Sequence, residues 1–180
     1  MKRIAKTYLE IGAGERAAAH LMPRMKKGDG YLTVDMRPLE RRVRSNIKGV
    51  KNLPLSADAF ELPVRDKSID HVVSANVISE LWFPHVYALH VPSFRVALEK
   101  LEAEIHRVTK ERATITFHEQ YTPGVLDYKE GELGAEEANL SRLEHLKQVF
   151  GRRWLIRIRN IPKRLDGTRG SGVLIKLFKK

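Results

Sequence analysis

The chain has 180 residues, 42% of them apolar and 31% charged, enough for one soluble domain with a sizeable core. Cysteine is absent, which excludes a disulfide framework, thiolate zinc sites and any mechanism with a Cys nucleophile. The net charge of +11 favours polyanionic partners such as nucleic acid.

No apolar run approaches the roughly 18–20 residues that span a bilayer, so no membrane association is expected. Met1-Lys2-Arg3-Ile4-Ala5-Lys6 is charged, but no apolar stretch follows it as in a signal peptide. A cytoplasmic location is the expectation, and no metal site is expected. Charge is unevenly spread. Acids dominate from Glu119 to Glu144. From Lys147 onward Arg152, Arg153, Arg157, Arg159, Lys163, Arg164, Arg169, Lys176, Lys179 and Lys180 join it against Asp166 alone. Such asymmetry points to a binding surface.

In chain order, Lys6 to Ile11 reads as a first strand running into the turn Gly12-Ala13-Gly14. Glu15 to Lys27 reads as a helix with Ala17, Ala18, Leu21 and Met22 on its apolar side, stopped by Gly28 and Gly30. Tyr31 to Val34 is a second strand that ends at Asp35. Pro38 to Ser45 suits a short basic helix, and Asn52 to Ser56 a weak third strand. Ile69 to Ser74 is a fourth strand, apolar enough to be central. A helix follows from about Pro92 to Val108, with Phe94, Leu98, Leu101 and Ile105 at helical spacing. Ala113 to Phe117 is a fifth strand. Glu136 to Phe150 reads as an amphipathic helix ended by Gly151. Strands from Trp154 to Arg159 and from Gly172 to Phe178 close the chain. With no helix between them they pair as an antiparallel hairpin. Strands alternating with helices predict an α/β fold with a mostly parallel sheet.

The strand, glycine turn and helix at Tyr8 to Ala17 form a cofactor cradle. Glycines let the backbone approach a ligand, and the helix start presents free N–H groups. Asp35, at the end of the second strand, is placed to accept hydrogen bonds from a ribose diol. Gly12-Ala13-Gly14-Glu15-Arg16-Ala17 also satisfies the dinucleotide pattern G-x-G-x-x-A. Glu10 argues against a pyrophosphate there, because a carboxylate two residues before Gly12 repels it. It suits a ligand with a cationic end, such as the ammonium and sulfonium of S-adenosylmethionine. A nicotinamide-dependent oxidoreductase is therefore the disfavoured alternative.

On these residues the chain resembles the class I, Rossmann-like S-adenosylmethionine-dependent methyltransferases, and within them the methyltransferase type 11 group. The likeness spans Lys6 to Lys180. Glu10-Ile11-Gly12-Ala13-Gly14 resembles the first motif, whose acid approaches the methionine ammonium through water. Val34-Asp35 resembles the second, with Met36 beside it. Ala57-Asp58-Ala59-Phe60-Glu61-Leu62-Pro63 resembles the stretch whose Asp meets the adenine amino group and whose next residue packs on the ring. Ser68 to Ser74 resembles the fourth strand, and Ser74-Ala75-Asn76 the loop lining the methyl-transfer site. The resemblance implies a Rossmann-like three-layer sandwich, a seven-stranded sheet and a single domain over residues 1–180. It implies Glu10, Gly12, Ala13, Gly14, Asp35, Met36, Asp58, Ala59 and Ser74 as the S-adenosyl-L-methionine site. Arg16 stands where a third glycine is common. The helix that many members place before the first strand, as a lid, is missing, so a substrate, a partner subunit or a second copy is expected to complete the site.

Methyl transfer from a sulfonium needs orientation and sometimes a general base. Residues on loops after the fourth and fifth strands are the candidates: Asn76, Glu80, His85 and His90, then His118, Glu119 and Tyr121. Asn76, His118 and Glu119 are the preferred catalytic set. There is no Asp/Asn-Pro-Pro-aromatic motif, which disfavours the exocyclic-amine nucleic-acid methyltransferases. The loop after the sixth strand carries Lys163, Arg164 and Arg169, placed to grip phosphates, with Arg153, Arg157 and Arg159 extending the stripe. Arg41, Arg42 and Arg44 form a second basic patch, and Trp82-Phe83 a pair able to stack on a base. RNA is the favoured substrate. A small molecule or a protein is the alternative, as is a non-catalytic subunit that binds RNA or a partner.

Overall fold

The computed structural model describes residues 4–13, 25–36, 50–81, 94–121, 144–161 and 171–180. The strands are β1 (Thr7–Ile11), β2 (Gly30–Asp35), β3 (Lys51–Ser56), β4 (Ile69–Ala75), β5 (Thr109–Tyr121), β6 (Trp154–Ile161) and β7 (Ser171–Lys179). Among the described residues, helices α1 (Val77–Leu81) and α2 (Phe94–Val108) lie between β4 and β5, and a further helical segment covers 144–150. The strands form a seven-stranded sheet in the order β3-β2-β1-β4-β5-β7-β6. Pairings from β3 through β5 are parallel, and β7 enters antiparallel between β5 and β6. This is the Rossmann-like α/β architecture with a terminal antiparallel hairpin.

One face of the sheet carries the main core. Leu9, Ile11, Val34, Val72, Ile115 and Phe117 meet Leu98, Leu101 and Ile105 of α2 there. The helix lies this way because Ala97, Leu98, Leu101, Ile105 and Val108 recur at three- and four-residue spacing and make one apolar stripe. Burying each such leucine contributes about 2 kcal/mol. His106 and Arg107 occupy the last turn, where cations suit the helix dipole. Phe150 packs edge-on against Phe117 with centroids 5.6 Å apart. Trp154 is buried, and its indole N–H donates to Glu102 Oε1 at 2.8 Å. That bond explains a buried glutamate on the apolar side of α2.

The opposite face is smaller in its described part. Tyr8, Tyr31 and Val73 pack together there with Met25 and Val50. The carboxyl ends of β1 and β4 adjoin where the strand order reverses, the place where open α/β sheets bind ligands.

Several elements extend past the sequence reading. β5 begins at Thr109 and ends at Tyr121, well beyond Ala113 to Phe117. Its charged start is tolerated because Lys110 pairs with Asp70 at 2.8 Å and Glu111 with Lys67 at 3.5 Å. β3, expected as a weak strand over Asn52 to Ser56, is a full partner of β2 over six residue pairs. Pro54 is tolerated because β3 is an edge strand. The readings of Glu15 to Lys27 and Pro38 to Ser45 as helices fall wholly or mainly outside the described residues; of the helix read from Glu136 to Phe150, residues 144–150 are described and are helical. Among those described, no helix is long and apolar enough to cross a membrane.

Candidate active site

Three backbone hydrogen bonds draw the carboxyl ends of β1, β2 and β3 into one strip. Gly12 N–H and Ala13 N–H both donate to Val34 O, at 2.8 and 3.2 Å. Ala57 N–H donates to Asp35 O at 3.0 Å. The first pair folds the turn after β1 over the end of β2. The second brings the loop after β3 beside Asp35. Gly12, Ala13, Asp35, Met36, Ala57, Asp58 and Ala59 therefore line a continuous edge.

Each member has a local reason for its position. Gly12 adopts φ = +71°, the left-handed region that favours glycine. A Cβ there would lie 2.3 Å from Val77 Cγ2, so the turn also needs glycine to clear the start of α1. Asp35 closes β2 and is 9% exposed, at the rim of the edge. Met36 follows it and is 48% exposed. Asp58 Oδ1 accepts from Phe60 N–H at 2.8 Å, an Asx turn that sets the loop after β3. Gly14, also expected at the cofactor, lies outside the described residues.

Beneath the strip sits Glu10, fully buried in β1. Tyr31 of β2 donates its phenolic hydrogen to Glu10 Oε2. Burial, and then the Glu10 charge, raise the Tyr31 hydroxyl above the ordinary tyrosine range. Tyr31 is thus a permanent donor and Glu10 the acceptor. Sequence reasoning missed this pairing. Its one signal is the register, which sets Tyr31 beside Tyr8, two residues from Glu10 on the same face.

The strip has a consistent sign. Glu10, Asp35 and Asp58 are carboxylates, and no lysine or arginine occurs at residues 10–13, 34–36 or 56–60. Among the described residues this edge offers nothing to neutralise a pyrophosphate. Its carboxylates can accept from hydroxyl, amine and ammonium donors, and exposed Met36 offers an apolar surface beside them.

A second group clusters at the ends of β4 and β5. Asn76 adopts φ = +63°, which asparagine tolerates better than most residues, and its N–H donates to His118 O at 2.8 Å. Glu119 Oε1 accepts from Ile78 N–H at 3.3 Å, satisfying a free donor in the first turn of α1. His118 and Glu119 are both buried. As consecutive strand residues they point to opposite faces of the sheet. The two side chains therefore do not form an adjacent acid–base pair. Ser74 is fully buried on the α2 side, and its Oγ has no hydrogen-bond partner among the described residues.

The loop leading to Asp58 is fastened from below. Arg107 donates to Leu62 O at 2.8 Å, Val64 O at 2.9 Å and Asp66 Oδ1 at 2.5 Å, and to both carboxylate oxygens of Glu104. Glu104 Oε2 in turn accepts from Leu62 N–H at 3.0 Å. The hydrogen bond from Arg107 is the main cause that holds the Glu104 carboxyl below its usual range. Nothing local in the sequence marks the loop end of this clamp, since Leu62, Val64 and Asp66 lie more than forty residues from Arg107.

Glu80 and Tyr121 lie in described elements, but their side chains are outside the described set, as are His85, His90 and the Trp82-Phe83 pair. Lys163, Arg164 and Arg169 fall outside it too, with Arg41, Arg42 and Arg44. Arg153 of the expected basic stripe is exposed and lies 3.5 Å from Glu102 Oε2.

Residues 9–117, more than half of the chain, match the model of a family described as a methyltransferase domain. No curated protein matches the chain in sequence at a significant level. Solved structures share its fold at low identity. One is an S-adenosylmethionine-dependent methyltransferase from Methanosarcina mazei, 13% identical with a TM-score of 0.56, covering 99% of this chain and 94% of that one. Another is geranyl diphosphate methyltransferase with its substrate and sinefungin, 10% identical with a TM-score of 0.60, covering 98% and 71%. A third comes from Haloferax volcanii in complex with the Trm112 methyltransferase activator, 13% identical with a TM-score of 0.56, covering 98% and 84%.

Proposed function

The chain belongs to the methyltransferase-domain family, and on that premise we propose that it transfers the methyl group of S-adenosylmethionine to RNA. The observation that carries the cofactor half is the edge joining Gly12, Asp35 and Asp58, which holds carboxylates and no cation among its described residues. The nicotinamide alternative is set aside by the family match.

S-adenosylmethionine supplies an electrophilic methyl group on a sulfonium. The protein's task is to orient, to exclude water and to place a proton acceptor. In this reading Asp35 accepts from the ribose hydroxyls, and Asp58 and Ala59 hold the adenine. Glu10 sets a negative potential under the ammonium, and Tyr31 holds Glu10. When bound, the cofactor would supply the methyl group with its sulfonium sulfur as the leaving group, and the acceptor's proton would pass to a base of this chain or to water. His118 is the base candidate. Glu119 acts through α1 as a positioning residue, because it already binds Ile78 N–H.

RNA is favoured by the net charge of +11. Structural neighbours include a methyltransferase for a small diphosphate, so a small molecule is the competing acceptor. A partner subunit is a second reading. It is favoured by the Haloferax volcanii neighbour, solved with an activator, and by Met36 left exposed at the edge.

The test is transfer of a labelled methyl group from S-adenosylmethionine into a fractionated cell extract. Label in the RNA fraction is expected. Label confined to small molecules or protein would refute the RNA assignment. No transfer from a protein that binds S-adenosylhomocysteine would indicate a non-catalytic subunit.

A further inference from the structure

The outer half of the sheet segregates its charge by face. Glu111 and Glu119 are the only acids in β5, β6 and β7. Both belong to the α2 side: Glu111 approaches Lys179, whose ammonium bonds carbonyls at the end of α2, and Glu119 binds α1. The other face holds Arg112, Arg157, Arg159 and Lys176, all exposed. Among the described residues none of these four has an ion-pair partner. Arg157 and Lys176 are direct cross-strand partners. Like charges at such a position destabilise a sheet. A cationic pair that no described acid offsets is an unfavourable feature for folding and a favourable one for holding an anion.

We propose that this face docks single-stranded nucleic acid, with Arg157, Arg159 and Lys176 gripping its phosphodiester backbone. The inference rests on the RNA reading above and names its surface. Guanidinium groups bind phosphate oxygens in pairs, and Arg157 lies over the Phe178 ring at 5.2 Å, which steadies its plane. Leu155, directly opposite Phe178, is 50% exposed and gives a base an apolar surface beside the cations. An acidic peptide is the weaker fit. Peptides add to a sheet along its edge through backbone hydrogen bonds, whereas these cations stand on the face, where unpaired bases lie across strands.

Register connects the surface to the site. Arg159, Leu174, His118 and Ala75 form one row across β6, β7, β5 and β4. Three strand spacings separate its ends, about 14 Å. A strand of nucleotides held at Arg159 therefore reaches the end of β4, next to the cofactor edge. The opposition of Arg157 and Lys176 depends on hairpin register and is not legible along the chain.

The experiment is fluorescence anisotropy with a labelled single-stranded RNA of about twenty nucleotides, and a DNA of the same sequence, over a salt series. Three proteins are compared: the unaltered chain, the triple variant Arg157→Gln, Arg159→Gln, Lys176→Gln, and a control triple Lys26→Gln, Arg65→Gln, Lys147→Gln at exposed cations elsewhere. The face triple should bind at least tenfold more weakly at low salt, with a log–log salt slope shallower by about 2. The control should lose less than threefold. Tighter RNA than DNA binding identifies RNA as the ligand; equal binding supports a grip on the shared backbone alone. Equal losses in both triples would overturn the proposal, as would no binding at low salt, or tighter binding of polyglutamate than of either oligonucleotide. S-adenosylhomocysteine affinity, measured on the same variants, should not change. It reports the cofactor site separately, so the docking surface and the methyltransferase reading can fail independently.

Discussion

The hydroxyl of Tyr31 on β2 donates to the carboxylate of Glu10 on β1, and both side chains are completely buried in the sheet. A buried carboxylate that loses a donor retains its desolvation cost without the compensating bond. Tyr31→Phe should therefore lower stability by about 1–3 kcal/mol, read from denaturant unfolding. Its effect on ligands is more specific. S-adenosylhomocysteine carries an ammonium, whereas 5′-methylthioadenosine has no amino-acid tail. If Glu10 serves the ammonium, Tyr31→Phe weakens the first ligand and spares the second. Equal weakening of both would reduce Tyr31 to a role in folding alone.

Gly12 and Val77 make the turn after β1 sensitive in two ways at once. Gly12→Ala meets both the left-handed φ and the 2.3 Å approach to Val77 Cγ2. The backbone conformation alone costs about 1–2 kcal/mol for a residue with Cβ. Adding Val77→Ala relieves the clash but not the backbone, and it removes a buried side chain from the core. Gly12→Ala should lose cofactor binding, and the double variant should regain it only in part. Full binding by Gly12→Ala, measured by calorimetry, would remove this turn from the site.

Arg107 fastens residues 62–66 to α2, two residues beyond the turn at Phe60. Lysine keeps the charge but lacks the fork that reaches two carbonyls and Glu104 together. Arg107→Lys is expected to cost about 2 kcal/mol and to loosen the loop that carries Asp58. Hydrogen exchange at 58–64 should rise in that variant before global unfolding. Exchange that stays native there would show that the loop is held by other contacts.

His71 gives stability a pH dependence of known sign. It stacks on Tyr8 at 4.9 Å, lies 3.2 Å from the Lys6 ammonium, and meets Thr114 Oγ1 at 2.6 Å through Nδ1. An ammonium only donates, so Nε2 accepts and Nδ1–H donates to Thr114. Burial first, and then Lys6, lower the ring's pKa from its ordinary 6.5, against the opposing pull of Asp70 and Asp29. Above that value the ring is neutral whether the chain is folded or not. As pH falls through 6.5 the unfolded chain takes up a proton that the folded one resists, so stability declines. His71→Phe keeps a ring on Tyr8 and should flatten this decline. His106, lowered mainly by burial, leaves a residual slope. An unchanged pH profile would show that His71 is not the group responsible.

Much of the sheet is legible along the chain, because short apolar runs bounded by glycine, asparagine and aspartate leave few alternatives for β1, β2 and β4. β5 is not, because Lys110, Glu111 and Arg112 interrupt its apolar run while remaining in the strand, the first two through ion pairs. At the site, Glu10, Gly12, Asp35 and Asp58 are readable from spacing, since each lies at or just past the carboxyl end of a strand. Tyr31 and Arg107 are not, because what matters is which distant atom they reach. That His118 and Glu119 face opposite ways becomes legible only once both are placed in β5, as neighbours in a strand alternate faces.

The cofactor edge is the centre of this account, and calorimetric titration with S-adenosylhomocysteine and, separately, NAD tests it most directly. One saturable site for S-adenosylhomocysteine is predicted, weakened at least tenfold by Asp35→Ala, with no heat from NAD. Binding of NAD without S-adenosylhomocysteine, or an Asp35→Ala variant that binds as tightly as the unaltered chain, would contradict it.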